Sequence, residues 1–369
     1  MKFSVSRDVI LQPLLLVAGA VERRQTMPIL SNILCKVQGD ELQVTGTDLE
    51  VELRAKVQVE NAQEGETTLP ARKLVDICKS LPEGADIRVS VDGSKAVFQS
   101  GKSRFTLATL GAQDFPAVQH DKSSEKIELL KSDIINLVQR TSFSMAQQDV
   151  RYYLNGMLWE IGKDSLVAVA TDGHRLAVAT APVKSSSDSK RQLILPRKGV
   201  LELARLLGGN SDVETITLEV GSNHVRVVTA NIEFISKLVD GKFPDYKRVL
   251  PKGGDKLVKA DRQTLRSALQ RAAILSNEKY RGVRFVLTNE TLSIQANNPE
   301  QEEANEEVVV DYEGSELEIG FNVNYVIDVL GVLDTDDICI TLADTSSSAL
   351  IQSGDMADDA LYVVMPMRL

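Results

Sequence analysis

The sequence predicts an α+β protein built of three tandem homologous domains. Three observations predict it: a motif that occurs three times, a second motif that repeats in step with it, and one succession of helical and strand patterns in each third. Leu42-Gln43-Val44-Thr45-Gly46-Thr47-Asp48 is echoed 124 residues later by Leu166-Val167-Ala168-Val169-Ala170-Thr171-Asp172. A weaker copy, Leu292-Ser293-Ile294-Gln295-Ala296-Asn297-Asn298, follows after a further 126. Leu69-Pro70-Ala71-Arg72-Lys73, Leu195-Pro196-Arg197-Lys198 and Ile319-Gly320-Phe321-Asn322 step by 126 and 124. Solenoid units span about 20–50 residues, so repeats of this length are whole domains of ordinary size. The boundaries are read as 1–122, 123–252 and 253–369.

The first apolar segment, 14–20, follows Lys2 and Arg7 and ends Ala18-Gly19-Ala20. It imitates a secretion signal. Asp8, Gln12 and Pro13 interrupt the segment, however. It also holds the place of 132–146 and 261–275 in the later repeats, so it reads as a helix. A helix at 71–80 and strands at 87–91 and 95–99 complete the first third. In the second, Ser132-Asp133 starts a helix with Ile134, Ile135, Leu137 and Val138 on its apolar face. Strands at 154–161 and 165–170 flank the turn Gly162-Lys163-Asp164. A helix over 197–207 stops at Gly208-Gly209, and alternation resumes at 215–220 and 224–229. The last third repeats the scheme with helices at 261–275 and 322–333 and a strand at 361–365. Residues 120–126, 185–189 and 251–256 are polar and read as loops.

Cys35, Cys78 and Cys339 form no CxxC pair, which argues for a reducing compartment and against a disulfide framework. No run of 18 apolar residues suggests a membrane span. A net charge of −10 argues, taken alone, against gripping nucleic acid. The distribution argues otherwise. The expected helices with their adjoining turns (7–24, 71–80, 131–151, 197–207, 261–284, 322–333) carry 18 Lys/Arg against 9 Asp/Glu. Helix propensity alone would enrich Glu as well, yet these windows hold only Glu22, Glu202 and Glu278. If the helices share a face, that face attracts phosphates while the strands repel them.

The chain has no phosphate-binding glycine loop, no nucleophile elbow and no zinc-helix motif. Thr171-Asp172-Gly173-His174-Arg175 could be imagined as an acid/base pair, but Thr47-Asp48 occupies the same point without a histidine, which favours a turn. The cluster Glu300, Glu302, Glu303, Glu306 and Glu307 suits a partner-facing edge better than a metal site. Residues 361–365 read as a strand, whereas Pro366-Met367 suggests an adaptable apolar groove.

Four runs carry a family resemblance: Gln148-Asp149-Val150-Arg151-Tyr152-Tyr153-Leu154-Asn155-Gly156, Ala170-Thr171-Asp172-Gly173-His174-Arg175-Leu176-Ala177, Phe243-Pro244-Asp245-Tyr246 and Tyr362-Val363-Val364-Met365-Pro366-Met367-Arg368-Leu369. The chain resembles the bacterial DNA polymerase III beta subunits, the sliding clamps, from end to end. The resemblance implies the DNA clamp fold, a head-to-tail homodimeric ring with helices lining a pore and antiparallel sheets outside. It implies no catalysis and no cofactor. Duplex DNA, held without regard to sequence, the replicative polymerase, the clamp loader and other proteins with a clamp-binding motif are the implied partners. The setting is the cytoplasm, at the nucleoid, with no membrane.

The resemblance places Arg24, Arg72, Gln148, Tyr152, Tyr153, Arg197 and Lys198 toward DNA. It places a peptide groove at Leu154, Thr171, Gly173, His174, Arg175 and Leu176, together with Pro244, Arg248, Val249 and Ser348. Val363, Val364, Met365, Pro366, Met367 and Arg368 complete that groove. The dimer contact would bring Phe105 and Leu107 to Ile274 and Leu275, with Lys73 and Arg104 near Glu300, Glu302 and Glu303. A protein–protein scaffold that never meets DNA is the competing reading; the acidic balance favours it and the basic helices oppose it.

Overall fold

The computed structural model describes residues 1–21, 27–116, 125–183, 190–209, 214–229, 231–356 and 359–368. The chain forms two compact units, Met1–Ser132 with Lys198–Val239, and Asp133–Val183 with Asp240–Leu369, the latter joined by the strand Arg191–Pro196. The loop expected at 185–189 lies outside the described residues, as does Arg24.

Six α-helices are described: α1 (Arg7–Val17), α2 (Ala71–Ser80), α3 (Lys131–Thr141), α4 (Arg197–Leu207), α5 (Arg262–Ala272) and α6 (Val323–Val332). The segment that imitates a secretion signal is α1. Ser6 caps it by accepting from the Asp8 amide at 3.3 Å, and the helix runs through Pro13 at the loss of one intrahelical bond. Asp261 and Asn322 cap α5 and α6 in the same way. Three helices end sooner than their apolar runs: α1 at Val17, α3 at Thr141 and α5 at Ala272, the last two tightening to 3-10 turns at Ser142–Ser144 and Ala273–Leu275. The strand expected from 154 starts at Gly156, because Tyr152–Leu154 is a 3-10 turn with Leu154 buried. Glu125 and Lys126, expected in a loop, begin the strand Glu125–Leu130.

Each unit contains one eight-stranded antiparallel sheet, and the two sheets are copies. In the first unit the order is Glu125–Leu130, Thr215–Val220, His224–Val228, Ile232–Lys237, Val51–Gln58, Glu41–Thr47, Asn32–Gln38, Gly65–Pro70. In the second it is Lys256–Asp261, Asp337–Leu342, Ala349–Ser353, Ala360–Val364, Arg175–Pro182, Ser165–Thr171, Gly156–Ile161, Arg191–Pro196. Each sheet therefore joins four strands of one repeat to four of the next. The joint is a pair of strands: Ile232↔Ala55 to Ser236↔Val51 in one, Ala360↔Ala179 to Val364↔Arg175 in the other.

Two half sheets remain. One runs Glu60–Gln63, Lys2–Ser6, Asp86–Asp92, Lys95–Ser100, Ser103–Ala108; the other runs Glu303–Val309, Thr291–Asn297, Gly282–Thr288, Leu317–Asn322. Ser103–Ala108 and Glu303–Val309 are their outer strands, in the positions that form joints elsewhere. Inward side chains alternate along the strands and are dry. Trp159, Phe234, Phe285 and Phe321 are buried, the last two in edge contact at 5.3 Å.

On the exposed face of the first sheet a ladder of alternating charge crosses the joint. Lys126 meets Glu219 at 3.1 Å, Glu219 meets Arg226 at 2.8 Å, and Arg226 meets Glu233 at 2.6 Å. Glu233 reaches Arg54 at 3.5 Å, and Arg54 holds the buried Glu52 at 2.5 Å.

Gly46 marks a close approach. A Cβ there would sit 2.4 Å from the Val17 carbonyl oxygen at the end of α1. The corresponding positions hold Ala170 and Ala296, both buried without conflict. Gly46→Ala should therefore cost about 1–3 kcal/mol through overpacking, read as a lower urea midpoint for the full chain. An unchanged midpoint would mean that the end of α1 gives way freely.

Candidate functional site

The turn after the repeated strand motif is built identically twice. In the first copy Thr47 Oγ1 donates to the Val51 carbonyl (2.9 Å) and accepts from the Leu49 amide (3.1 Å), while Asp48 Oδ1 accepts from Glu50 and Val51 amides at 2.9 and 2.7 Å. In the second, Thr171 Oγ1 donates to the Arg175 carbonyl (2.6 Å) and accepts from the Gly173 amide (3.1 Å), while Asp172 Oδ1 accepts from His174 and Arg175 amides at 2.9 and 3.0 Å. The other Asp172 oxygen takes the Arg175 Nε proton at 3.0 Å. The carboxylate that could have served as an acid/base group is occupied in holding a turn. The His174 ring stacks on Tyr325 at 6.5 Å.

What differs is the residue with positive φ. The second copy has Gly173 at +90°, the first Leu49 at +78°. Beside Gly173 opens an apolar cavity of about 200 Å³. Nine of the groove residues expected from the sequence line it: Leu154, Thr171, Gly173, Arg175, Leu176, Pro244, Val249, Val363 and Met365. Arg151, Phe243, Asp245 and Tyr246 line it too and were not expected. The last three belong to the Phe243-Pro244-Asp245-Tyr246 run, of which only Pro244 had been assigned; Phe243 and Tyr246 are the buried residues that seat it. Burial, with the Glu160 charge nearby, pushes the Tyr246 hydroxyl up to about 12.

The remaining expected groove residues lie elsewhere. Val364 is buried in its strand. The Met365 amide donates to the His174 carbonyl at 2.9 Å and the Met367 amide to that of Gly320 at 2.8 Å, which fixes the segment around Pro366. Arg248 pairs with Asp245 at 2.9 Å on the surface. Ser348 is half-buried and Arg368 exposed, neither of them lining the cavity.

One wall of the cavity is the loop that carries Gln148, Tyr152 and Tyr153. Asn155 ties it down, accepting from the Asp149 amide and donating to the Asp149 carbonyl at 2.9 and 2.8 Å. Arg151 clasps the Asp149 carboxylate through two bonds, 3.0 and 2.9 Å, and its guanidinium lies against Gly173. Gln148 has a φ of +57° and is exposed; Tyr152 is 58% exposed and meets Tyr153 edge-on at 6.0 Å.

Arg72 is free to reach outward, its side chain 81% exposed and only 4.0 Å from Asp76 at best. Arg197 is half-buried, donates to the Met145 carbonyl at 3.4 Å, and is lowered in pKa by burial and by Arg175. Lys198 binds the Asp48 carboxylate and the Ala20 carbonyl. On the strand Ser103–Ala108, Phe105 is half-buried and Leu107 buried; in the 3-10 turn Ala273–Leu275 that follows α5, Ile274 is 75% exposed and Leu275 half-buried. Lys73, Arg104, Glu300, Glu302 and Glu303 are all exposed. Among the described residues no cluster of His, Cys, Asp or Glu could hold a metal ion, and no helix is long and apolar enough to cross a membrane.

The chain matches the profiles of the DNA polymerase III beta subunit in three consecutive stretches: the N-terminal domain over residues 1–119, the central domain over 128–245 and the C-terminal domain over 247–368. It is 58% identical to the beta sliding clamp of Pseudomonas putida and 50% identical to that of Escherichia coli K12, each over the full length of both chains. It is similar to the solved DNA polymerase III subunit beta of Pseudomonas aeruginosa, with 56% identity, full coverage of both chains and a TM-score of 0.96. A sliding clamp of the same organism bound to griselimycin superposes with a TM-score of 0.95, again at 56% identity and full coverage.

The Arg151 clasp makes a pH prediction. Its hydrogen bonds lower the Asp149 carboxyl to about 2. The folded value lies below the unfolded one of about 3.9. The pair's contribution is therefore complete above the unfolded pKa and lost as pH falls through the folded one. Carbon-13 NMR should find an Asp149 midpoint near 2, and Arg151→Gln should return it toward about 3.9. A midpoint unmoved by that change would mean the clasp does not form in solution.

Proposed function

The chain belongs to the DNA polymerase III beta subunit family, the bacterial sliding clamps, and from that membership we propose how its residues divide the work of a clamp. It is a DNA sliding clamp and processivity factor: it encircles duplex DNA and tethers the replicative polymerase, with no catalysis of its own. It acts in the cytoplasm, and its place there is at the nucleoid.

The two unfinished half sheets carry this reading. Every other repeat boundary in the chain is closed by a strand pair, so Ser103–Ala108 of one copy and Glu303–Val309 of another are the natural third joint. Each chain offers one edge of each kind, which makes the contact head-to-tail. Pairing them removes an open edge that would otherwise recruit other strands. Phe105 and Leu107 would meet Ile274 and Leu275, and Lys73 and Arg104 would face Glu300, Glu302 and Glu303. The domains divide at 122/123 and 252/253, within a few residues of the stretches matched by the family profiles.

Arg24, Arg72, Gln148, Tyr152, Tyr153, Arg197 and Lys198 form the DNA-facing set. Arg72 and the tyrosines are exposed enough to touch DNA directly, whereas Lys198 acts from a fixed position. Such contacts go to the backbone and read no sequence. The cavity beside Gly173 is the peptide groove for polymerase and clamp-loader segments, and the griselimycin complex of a relative fits that view of a ligand-binding clamp. Clamp loading, not affinity, would then decide where the ring sits.

Two outcomes test the division. Once loaded on a closed circle, the dimer, of mass near twice 40.4 kDa, should persist at raised salt and depart when the circle is linearised. Equal loss from both forms would remove topology as the cause. Separately, Val249→Ala with Met365→Ala should weaken a fluorescein-labelled linear peptide bearing adjacent Leu and Phe by roughly tenfold, through lost apolar contact, with the dimer intact. Unchanged anisotropy titrations would displace the groove from this cavity.

A further inference from the structure

We infer that Asp328, on α6 and outside the cavity, is a positioning residue for the peptide groove, acting through Arg175. The inference rests on the groove reading above.

Three of the five N–H donors of the Arg175 guanidinium, one on each nitrogen, are taken within the chain. Its Nε donates to Asp172 at 3.0 Å, one terminal nitrogen to Asp328 at 2.5 Å, and the other to the Phe143 carbonyl at 2.7 Å. Its central carbon lies over two rings, 4.5 Å from the Tyr325 centroid and 5.2 Å from that of Phe143. Its side chain is 12% exposed. A planar cation held at all three nitrogens and set over two rings is a fixed part of the wall, and Arg175 is among the residues that line the cavity.

The anchors differ in origin. Asp172 belongs to the same turn as Arg175, so it moves with the groove. The Phe143 carbonyl is a single neutral acceptor. Among the described residues Asp328 is the only carboxylate on Arg175 from another element, and it stands on a helix whose apolar side, Val326, Val329 and Leu330, is buried. Charge-assisted bonds are the stronger and more directional ones. Without Asp328 the guanidinium can swing about its Asp172 bond, and Arg175 leaves the cavity wall. Displacement of α6 reaches the groove by the same route. The carboxylate is 43% exposed, so its removal leaves no buried charge on the helix side.

The test uses the full-length dimer and the labelled Leu-Phe peptide. Asp328→Ala should weaken peptide binding roughly fivefold, the size expected for one coupled contact, with the melting temperature and dimer mass unchanged. Asp328→Glu should restore most of the affinity. Arg175→Ala should weaken binding further, and Asp328→Ala added to it should change nothing more. Additive losses in that cycle, or an Asp328→Ala protein that binds as tightly as the parent, overturn the inference. If Met365→Ala loses affinity while Asp328→Ala does not, the groove stands and the positioning role falls. If neither loses affinity, the groove assignment fails and takes this inference with it.

Discussion

The structure depends on antiparallel pairing between the edge strands of successive repeats. A half sheet of four or five strands ends in a row of unpaired amides and carbonyls, which is costly to leave open and invites aggregation. The chain closes two of these edges internally, at Val51–Gln58 with Ile232–Lys237 and at Arg175–Pro182 with Ala360–Val364. Each joint continues the sheet from one repeat into the next by a strand pair, and the compact units accordingly do not coincide with the homologous domains. The same logic leaves two open edges per molecule, Ser103–Ala108 and Glu303–Val309, each with amides and carbonyls to pair, and under the proposed assembly each edge meets the other kind.

The two internal joints show how one backbone yields an open apolar cavity beside one joint and a charged seam at the other. At the second joint Leu176 faces Val363; at the first the corresponding pair is Glu52 and Ile235. Glu52 is 1% exposed and held by Arg54, which hands its charge on to Glu233. A buried ion pair adds little net stability but tolerates no neighbour that strips away its partner. Where the second joint offers apolar floor, the first offers charge, and where the second has Gly173, the first has the Leu49 side chain. The same Thr-Asp turn thus frames an open cavity once and a closed charged seam once.

Much of this was readable in the sequence. Period and spacing gave the three repeats, and α2 and α4 fall at the expected bounds because Pro70 and Pro196 precede them and the apolar face is continuous. Helix ends were less visible: α3 stops at Thr141, whose hydroxyl bonds back to Leu137 at 2.6 Å, although its apolar pattern continues. The sharing of sheets between repeats could not be read, because alternation specifies which face of a strand is buried and not which strand lies beside it. The fold brings nine of the expected residues to one cavity; the place of Arg151 beside Gly173 is not legible in the sequence, because it depends on the Asp149 clasp and on Asn155.

The charge on the helices also reads differently once its partners are known. Arg140 and Arg271 are paired with carboxylates outside the helices, Asp334 at 3.0 Å and Glu306 at 2.6 Å. Lys198 is held by Asp48. The positive surplus of the helices is therefore partly spent inside the protein, and fewer cations remain to displace counterions from DNA. Each phosphate contact forgone flattens the dependence of binding on salt and lowers the barrier between neighbouring positions on the duplex. A protein that gripped DNA by affinity would gain from releasing those cations; one retained by closure gains from keeping them bound, since a weak, sequence-blind contact is what lets a ring travel with the enzyme it tethers.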